Sequence, residues 1–164
     1  MIVAIAASVP AAQSKNLKNM KRIIFFSIPF LVALNLFSKE VYIGPGPDSQ
    51  ERLQEALILM EEGDTLIIKS GYYKFEDGLS LDVDDVTVKG EGIDSTILDF
   101  KNQQSGAQGL LVTSDRVTLS DFSILDAKGD ALKVIGAIGI NMINLKTEWT
   151  GGCLLYTSPS PRDS

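Results

Sequence analysis

The chain has 164 residues, 45% hydrophobic and 22% charged, which suits one domain of ordinary globular composition. Its formal charge is −6, and residues 39–152 alone carry 10 basic against 20 acidic side chains, a balance of −10. Such a surface repels phosphate backbones and anionic lipid, and no basic cluster offsets it, which argues against a nucleic-acid partner.

Residues 1–38 read as an N-terminal extension and a signal peptide. Met20 is followed by Lys21 and Arg22 and then by an apolar stretch from Ile23 to Phe37, the basic and apolar regions of an export signal. Met20 begins a better signal than Met1 does, and cleavage is expected near Ser38. The apolar run is shorter than the roughly 20 residues a spanning helix needs, so no stable membrane span is expected after cleavage. The product is expected to be secreted or periplasmic, with an uncleaved anchor as the alternative.

Val41-Tyr42-Ile43 is a short β-type run, ended by Gly44-Pro45-Gly46-Pro47. A helix is expected over about 48–62. Asp48 and Glu51 have capping-box spacing, Leu53, Ala56, Leu57 and Met60 form one apolar stripe, and Gly63 is expected to close the last turn. After Gly63 the apolar residues come in short β-type runs: Thr65–Ile68, Leu79 with Leu81 and Val83, Val86 with Val88, Leu110–Val112, Val117 with Leu119, Phe122 with Ile124. Gly, Asp, Asn and Ser separate them, and Lys101–Gln108 reads as a loop. Tyr72 and Tyr73 are expected to pack near the helix.

These runs repeat. Val117-Thr118-Leu119 is echoed 23 residues on by Ile140-Asn141-Met142, Phe122 by Leu145, Ile124 by Thr147 and Gly129 by Gly152, while Val86-Thr87-Val88 lies 31 before Val117. The period is too short for a propeller blade of about 40 residues and fits three short strands per coil of a stacked cylinder. Asp121 and Asn144 would then stack at the same turn and hydrogen-bond along the axis. The helix would cap one end of the cylinder.

The run GDTLIIKSGYYKF, with GLSLDVDDVTVKGEG, STILDF, GLLVTSDRVTLSDFSILDAKGDALKV and INLKTEWTGG, resembles the opening of secreted right-handed parallel β-helix proteins. The likeness covers residues 41–152. It implies an all-β fold, a right-handed parallel β-helix (solenoid) with one N-terminal capping α-helix, truncated before its full length. The wider group is similar to pectate lyases and mannuronan epimerases, which implies an acidic polysaccharide as partner and, for an enzyme, a polysaccharide lyase or uronate epimerase. Epimerase-like members bring Tyr, Asp and His together beside a Lys. This chain contains no His, so no catalytic residue is assigned. A non-catalytic carbohydrate-binding protein and a structural solenoid are the alternatives.

Six residues are candidates for substrate binding. Asp126, Lys128, Asp130 and Lys133 form the richest polar group, and strand alternation would put Lys128 and Asp130 on one face. Carboxylates and lysines there suit a uronate sugar, with Ca²⁺ as a candidate bridge between carboxylates. The bland alternative is a solvated turn. Glu148-Trp149 suits a sugar platform, by ring stacking and hydrogen bonding, or simple packing between coils. Asp82, Asp84 and Asp85 lack the glycine and final Glu of a calcium loop and read as a surface turn, so no metal-ligating residue is assigned. The tail Cys153–Ser164 breaks in composition, and CLLYTSPSPRD matches the translation of a common transposase sequencing adapter. Residues 153–164 are therefore expected to be foreign to the gene, with a natural Ser/Pro-rich linker as the alternative.

Overall fold

A computed structural model describes residues 38–153 and the backbone of 155–158. The expected signal segment lies outside the described residues. No helix among them is long and apolar enough to cross a membrane.

The first strand, β1 (Glu40–Ile43), leads to the helix α1 (Ser49–Leu59), and every later element is a strand. Short legs follow in sets of three. β2 (Thr65–Ile68), β3 (Gly71–Lys74) and β4 (Leu79–Leu81) make one coil. β5 (Thr87–Lys89), β6 (Thr96–Asp99) and β7 (Gln108–Val112) make the next. β8 (Thr118–Leu125) bends at Asp121 to serve as first and second legs, and β9 (Asp130–Ile135) is its third. β10 (Asn141–Glu148) bends likewise at Asn144, before β11 (Leu155–Ser158).

Every pairing is parallel, and each leg lies on its counterpart in the neighbouring coil. Along the first legs, Thr65 sits beside Thr87, Thr87 beside Thr118 and Thr118 beside Asn141, steps of 22, 31 and 23 residues. The third legs form a separate sheet in the order β11-β9-β7-β4. The outcome is a mostly β, solenoid-like stack with curled parallel sheets and one helix. The repeat offsets of 31 and 23 expected from the sequence are the observed registers. Residues 155–158, inside the tail expected to be foreign, pair with β9 through backbone groups that every residue type carries.

Alternation builds the core. Leu66, Val88 and Leu119 share one inward row and Leu79, Leu110 and Leu132 another, all nearly inaccessible. Phe75 and Phe100 stack one coil apart with ring centroids 4.8 Å apart. The corners need residues that accept a left-handed backbone. Asp121 (φ 61°) and Asn144 (φ 50°) supply it, because their short polar side chains tolerate this region better than most. Asn144 Nδ2 donates to Asp121 Oδ1 at 2.9 Å, the stacked corner expected from the sequence.

The helix covers the first coil, with Leu53 and Leu57 fully buried beneath it. Its polar side closes an edge. Strand β4 pairs with β7 on one side only, and on the other the amide of Gln54 bridges Ser80, accepting from its N–H (2.9 Å) and donating to its carbonyl (3.1 Å). One turn earlier, Gln50 accepts from the Glu76 N–H (2.6 Å) and donates to Asp77 (3.1 Å). Two side-chain amides at helical spacing thus stand in for a missing strand, meeting the need to cover an open edge.

The helix departs from expectation at both ends. Asp48 makes no side-chain cap, and its carbonyl accepts from Arg52 instead. The chain leaves the helix at Met60, which turns extended (φ −61°, ψ 149°) and buries its side chain, so the expected end at about 62 is too late. Asp64 orders this exit, accepting from the backbone N–H groups of Glu61 and Lys39 at 3.0 and 2.9 Å. Gly63 (φ 91°) lies in the turn beyond and donates to the Asp85 carbonyl rather than closing the helix.

Candidate functional site

Five of the six candidates fall on or at the edge of two stacked turns at the corner between second and third legs. The lower turn, 126–130, joins β8 to β9, and the upper, beginning at Trp149, follows β10. Asp126 and Trp149 are 23 residues apart and hold the same left-handed backbone, each at φ 56°. The turns are joined by backbone bonds: Asp126 N–H to the Glu148 carbonyl (3.0 Å), Gly151 N–H to Ala127 (2.9 Å) and Gly152 N–H to Gly129 (2.9 Å). Asp130 Oδ1 accepts from the Cys153 N–H (2.9 Å).

Gly129 permits the turn to sit this close. A Cβ there would lie 1.8 Å from the Ala107 carbonyl oxygen of the loop below. That loop is fixed by Gln103, which is buried, donates to the Gln108 carbonyl (2.9 Å) and accepts from the Lys128 N–H (3.2 Å).

Lys128 and Asp130 do not share a strand face as expected. Lys128 is exposed in the turn, whereas Asp130 opens β9 half-buried, because the turn at Gly129 interrupts the alternation. Lys133, the sixth candidate, lies between buried Leu132 and Val134, which places it on the outer face of β9. Glu148 ends β10 rather than following it, and pairs with Lys146 at 3.1 Å. Trp149 is 80% exposed on the last described coil. Lys146 also lies 3.9 Å from Asp94, so two carboxylates share its ammonium.

Sequence reasoning missed a second pair at the same corner. Tyr72, expected to pack, is half exposed, while Tyr73 beside it is fully buried as expected. The Tyr72 hydroxyl donates to Asp99 Oδ2 at 2.6 Å, and Asp99 Oδ1 accepts from the Lys101 N–H at 2.8 Å. The Tyr72 phenol is pushed up to about 12, first by the hydrogen bond to Asp99, then by burial and by the charges of Asp99 and Asp126. The Asp126 contribution places Tyr72 and the 126–130 turn in one electrostatic neighbourhood. No sequence spacing announces the pair, since Tyr72 registers with Ile97 and reaches Asp99 diagonally.

The Asp82, Asp84 and Asp85 cluster is a structured turn. Asp84 accepts from the Asp115 N–H (2.8 Å), and Arg116 lies 3.9 and 3.4 Å from Asp84 and Asp85. No group of three or more His, Cys, Asp or Glu side chains is arranged to hold a metal ion among the described residues.

No protein-family model and no curated protein sequence matches the chain. Its structure is similar to that of a PL6 family alginate lyase, AlyGC, with a TM-score of 0.58 and 18% identity over 76% of this chain. The chain spans only 18% of the length of that lyase. At this level of identity the likeness bears on the fold alone, a parallel, solenoid-like stack of β-strands.

Proposed function

We propose that this chain belongs to a secreted, right-handed parallel β-helix protein that binds acidic polysaccharide, with the corner at Trp149 as its contact. The observation that carries this reading is Trp149 itself. A bulky residue in the left-handed region is disfavoured, yet Trp149 holds it (φ 56°) with its indole open to solvent on the last described coil. Both features persist together on a turn bonded to the coil below, as expected where strain serves recognition. A pyranose ring stacked on the indole would meet carboxylates as hydroxyl acceptors, and lysines for the carboxylate of a uronate. The similarity of fold to an alginate lyase supports a uronate polymer as the ligand. Calcium enters no step of the proposal, because the described carboxylates do not converge on one ion.

Binding is favoured over catalysis for these coils. The chain has no His, and at the described corner the Tyr72 phenol is held protonated by its hydrogen bond to Asp99, which makes it a poor base. A lyase or epimerase reaction is assigned to no residue here.

Trp149 is the only tryptophan, so its fluorescence reports the corner directly. Oligomannuronate or oligoguluronate should shift the emission to shorter wavelength in a saturable manner, and Trp149→Ala should abolish binding. Emission unchanged at saturating oligosaccharide would reject this role. Release of unsaturated uronate, followed by ultraviolet absorbance, tests for lyase action in the same samples.

A further inference from the structure

The outer face of the first legs carries a groove of about 540 Å³, separate from the Trp149 corner. Its floor follows the register Tyr42, Ile67, Lys89 on successive coils, and its rim is the corner row Lys69, Glu91, Asp121. One wall is internally committed. The Lys69 ammonium pairs with Glu91 at 2.9 Å and lies 4.8 Å from the centroid of the Tyr42 ring. Glu91 also accepts from the N–H and the hydroxyl of Ser70, at 2.7 and 2.6 Å. A carboxylate with this many donors stays ionised.

The other wall is open. Asp121 accepts from Asn144 and from the Ser120 hydroxyl, and as a carboxylate with about four lone-pair sites it retains acceptor capacity. Lys89 is exposed and lines the same groove as Asp121, and no ion pair within 4 Å joins them. A donor and an acceptor held apart in this way are bridged by a group that accepts from one and donates to the other, as a hydroxyl does. The groove's two ammonium groups and two carboxylates cancel, so no net field draws in a polyanion, and the carboxylate of a uronate would meet Glu91 and Asp121 both ionised.

The geometry points to a subsite for an uncharged pyranose in this groove, bracketed by Lys89 as donor and Asp121 as acceptor over the apolar floor at Ile67. The site differs from the Trp149 corner in place and in ligand charge, so it stands or falls independently of the polysaccharide reading.

The test is amide NMR of the full chain, titrated separately with cellohexaose, mannohexaose and mannuronate hexamer. A neutral hexaose should move the Lys69, Lys89, Gly90 and Asp121 amides saturably, and mannuronate hexamer should leave them in place. Lys89→Met keeps the apolar stem and should weaken neutral binding about tenfold or more, the loss of one charge-assisted hydrogen bond. Asp121→Asn keeps a residue suited to the left-handed corner and should weaken it similarly. Both variants should retain the Trp149 response to polyuronate. No saturable shift with either neutral hexaose overturns the assignment, as does an equal response to mannuronate, or a Lys89→Met variant that binds like the parent.

Discussion

The Gln54 bridge makes the sharpest claim about what holds the first coil together. Its amide both accepts from and donates to Ser80, as a neighbouring strand would. Gln54→Ala removes two backbone hydrogen bonds, each worth about 1 kcal/mol net, and a longer one to the Ser80 hydroxyl, partly offset by the better helix propensity of Ala. The expected loss is about 1–2 kcal/mol. Gln54→Glu is more telling, since Glu and Gln have similar helix propensity. At neutral pH the carboxylate can accept from the Ser80 N–H but faces the Ser80 carbonyl without a donor. That repulsion, softened by water and by the Ser80 hydroxyl, should cost about as much as the Ala variant, about 1–2 kcal/mol. Protonation restores a donor, and because the repulsion raises the folded-state pKa above the ordinary glutamate value of about 4.3, the deficit of Gln54→Glu relative to the parent should shrink as pH falls toward about 4.3 and be gone below it. Urea unfolding followed by circular dichroism, with exposed Glu55→Ala as control, gives the differences. A Gln54→Glu protein within about 0.3 kcal/mol of the parent at neutral pH would refute the edge-closing role.

Gly129→Ala should destabilise the protein by about 3 kcal/mol or more, because its Cβ meets a backbone oxygen that cannot swing aside; a urea midpoint equal to the parent's would contradict the close approach of the two coils. Phe100→Ala opens a cavity beneath Phe75 and should cost about 3–5 kcal/mol in the same assay. The Glu91 carboxyl is lowered to about 2 by hydrogen bonds from Ser70 and Lys69. Its contribution to stability is therefore complete above the ordinary glutamate value and is lost as pH falls toward 2; Glu91→Gln should flatten that part of the stability profile, and an unchanged acid slope would count against the cluster.

The fold was legible because stacking imposes the same demand on every coil. Inward positions must be aliphatic or aromatic at a fixed phase, so Val117 and Ile140, or Phe122 and Leu145, show the repeat without any structure. The Asp121 and Asn144 corner was legible for a related reason: a left-handed residue recurs at one place in the coil, and few side chains accept it. The helix ends were not legible, because Asp64 and Met60 set the exit through contacts made after the helix is over. Nothing in the sequence marks Gln50 and Gln54, since their partners Glu76 and Ser80 lie 26 residues away.

The outer face obeys no such rule, and this explains where sequence reasoning stopped. Coil steps of 22, 31 and 23 residues mean that outward neighbours cannot be counted off from one coil to the next. Tyr72 and Asp99, or Lys69 and Glu91, meet only once the registers are known. Asp126, Lys128, Asp130 and Lys133 were grouped by closeness in sequence and Glu148-Trp149 apart from them, and it is the step of 23 that stacks the turn at Trp149 on the turn at Asp126. A solenoid thus separates two kinds of information. Its interior repeats and announces the fold, while its exterior is free to differ at every coil, and recognition of a polymer with repeating but chemically distinct units requires that freedom. The two proposed sites follow this division: they share one scaffold, lie on different legs and differ in the charge of the sugar they take.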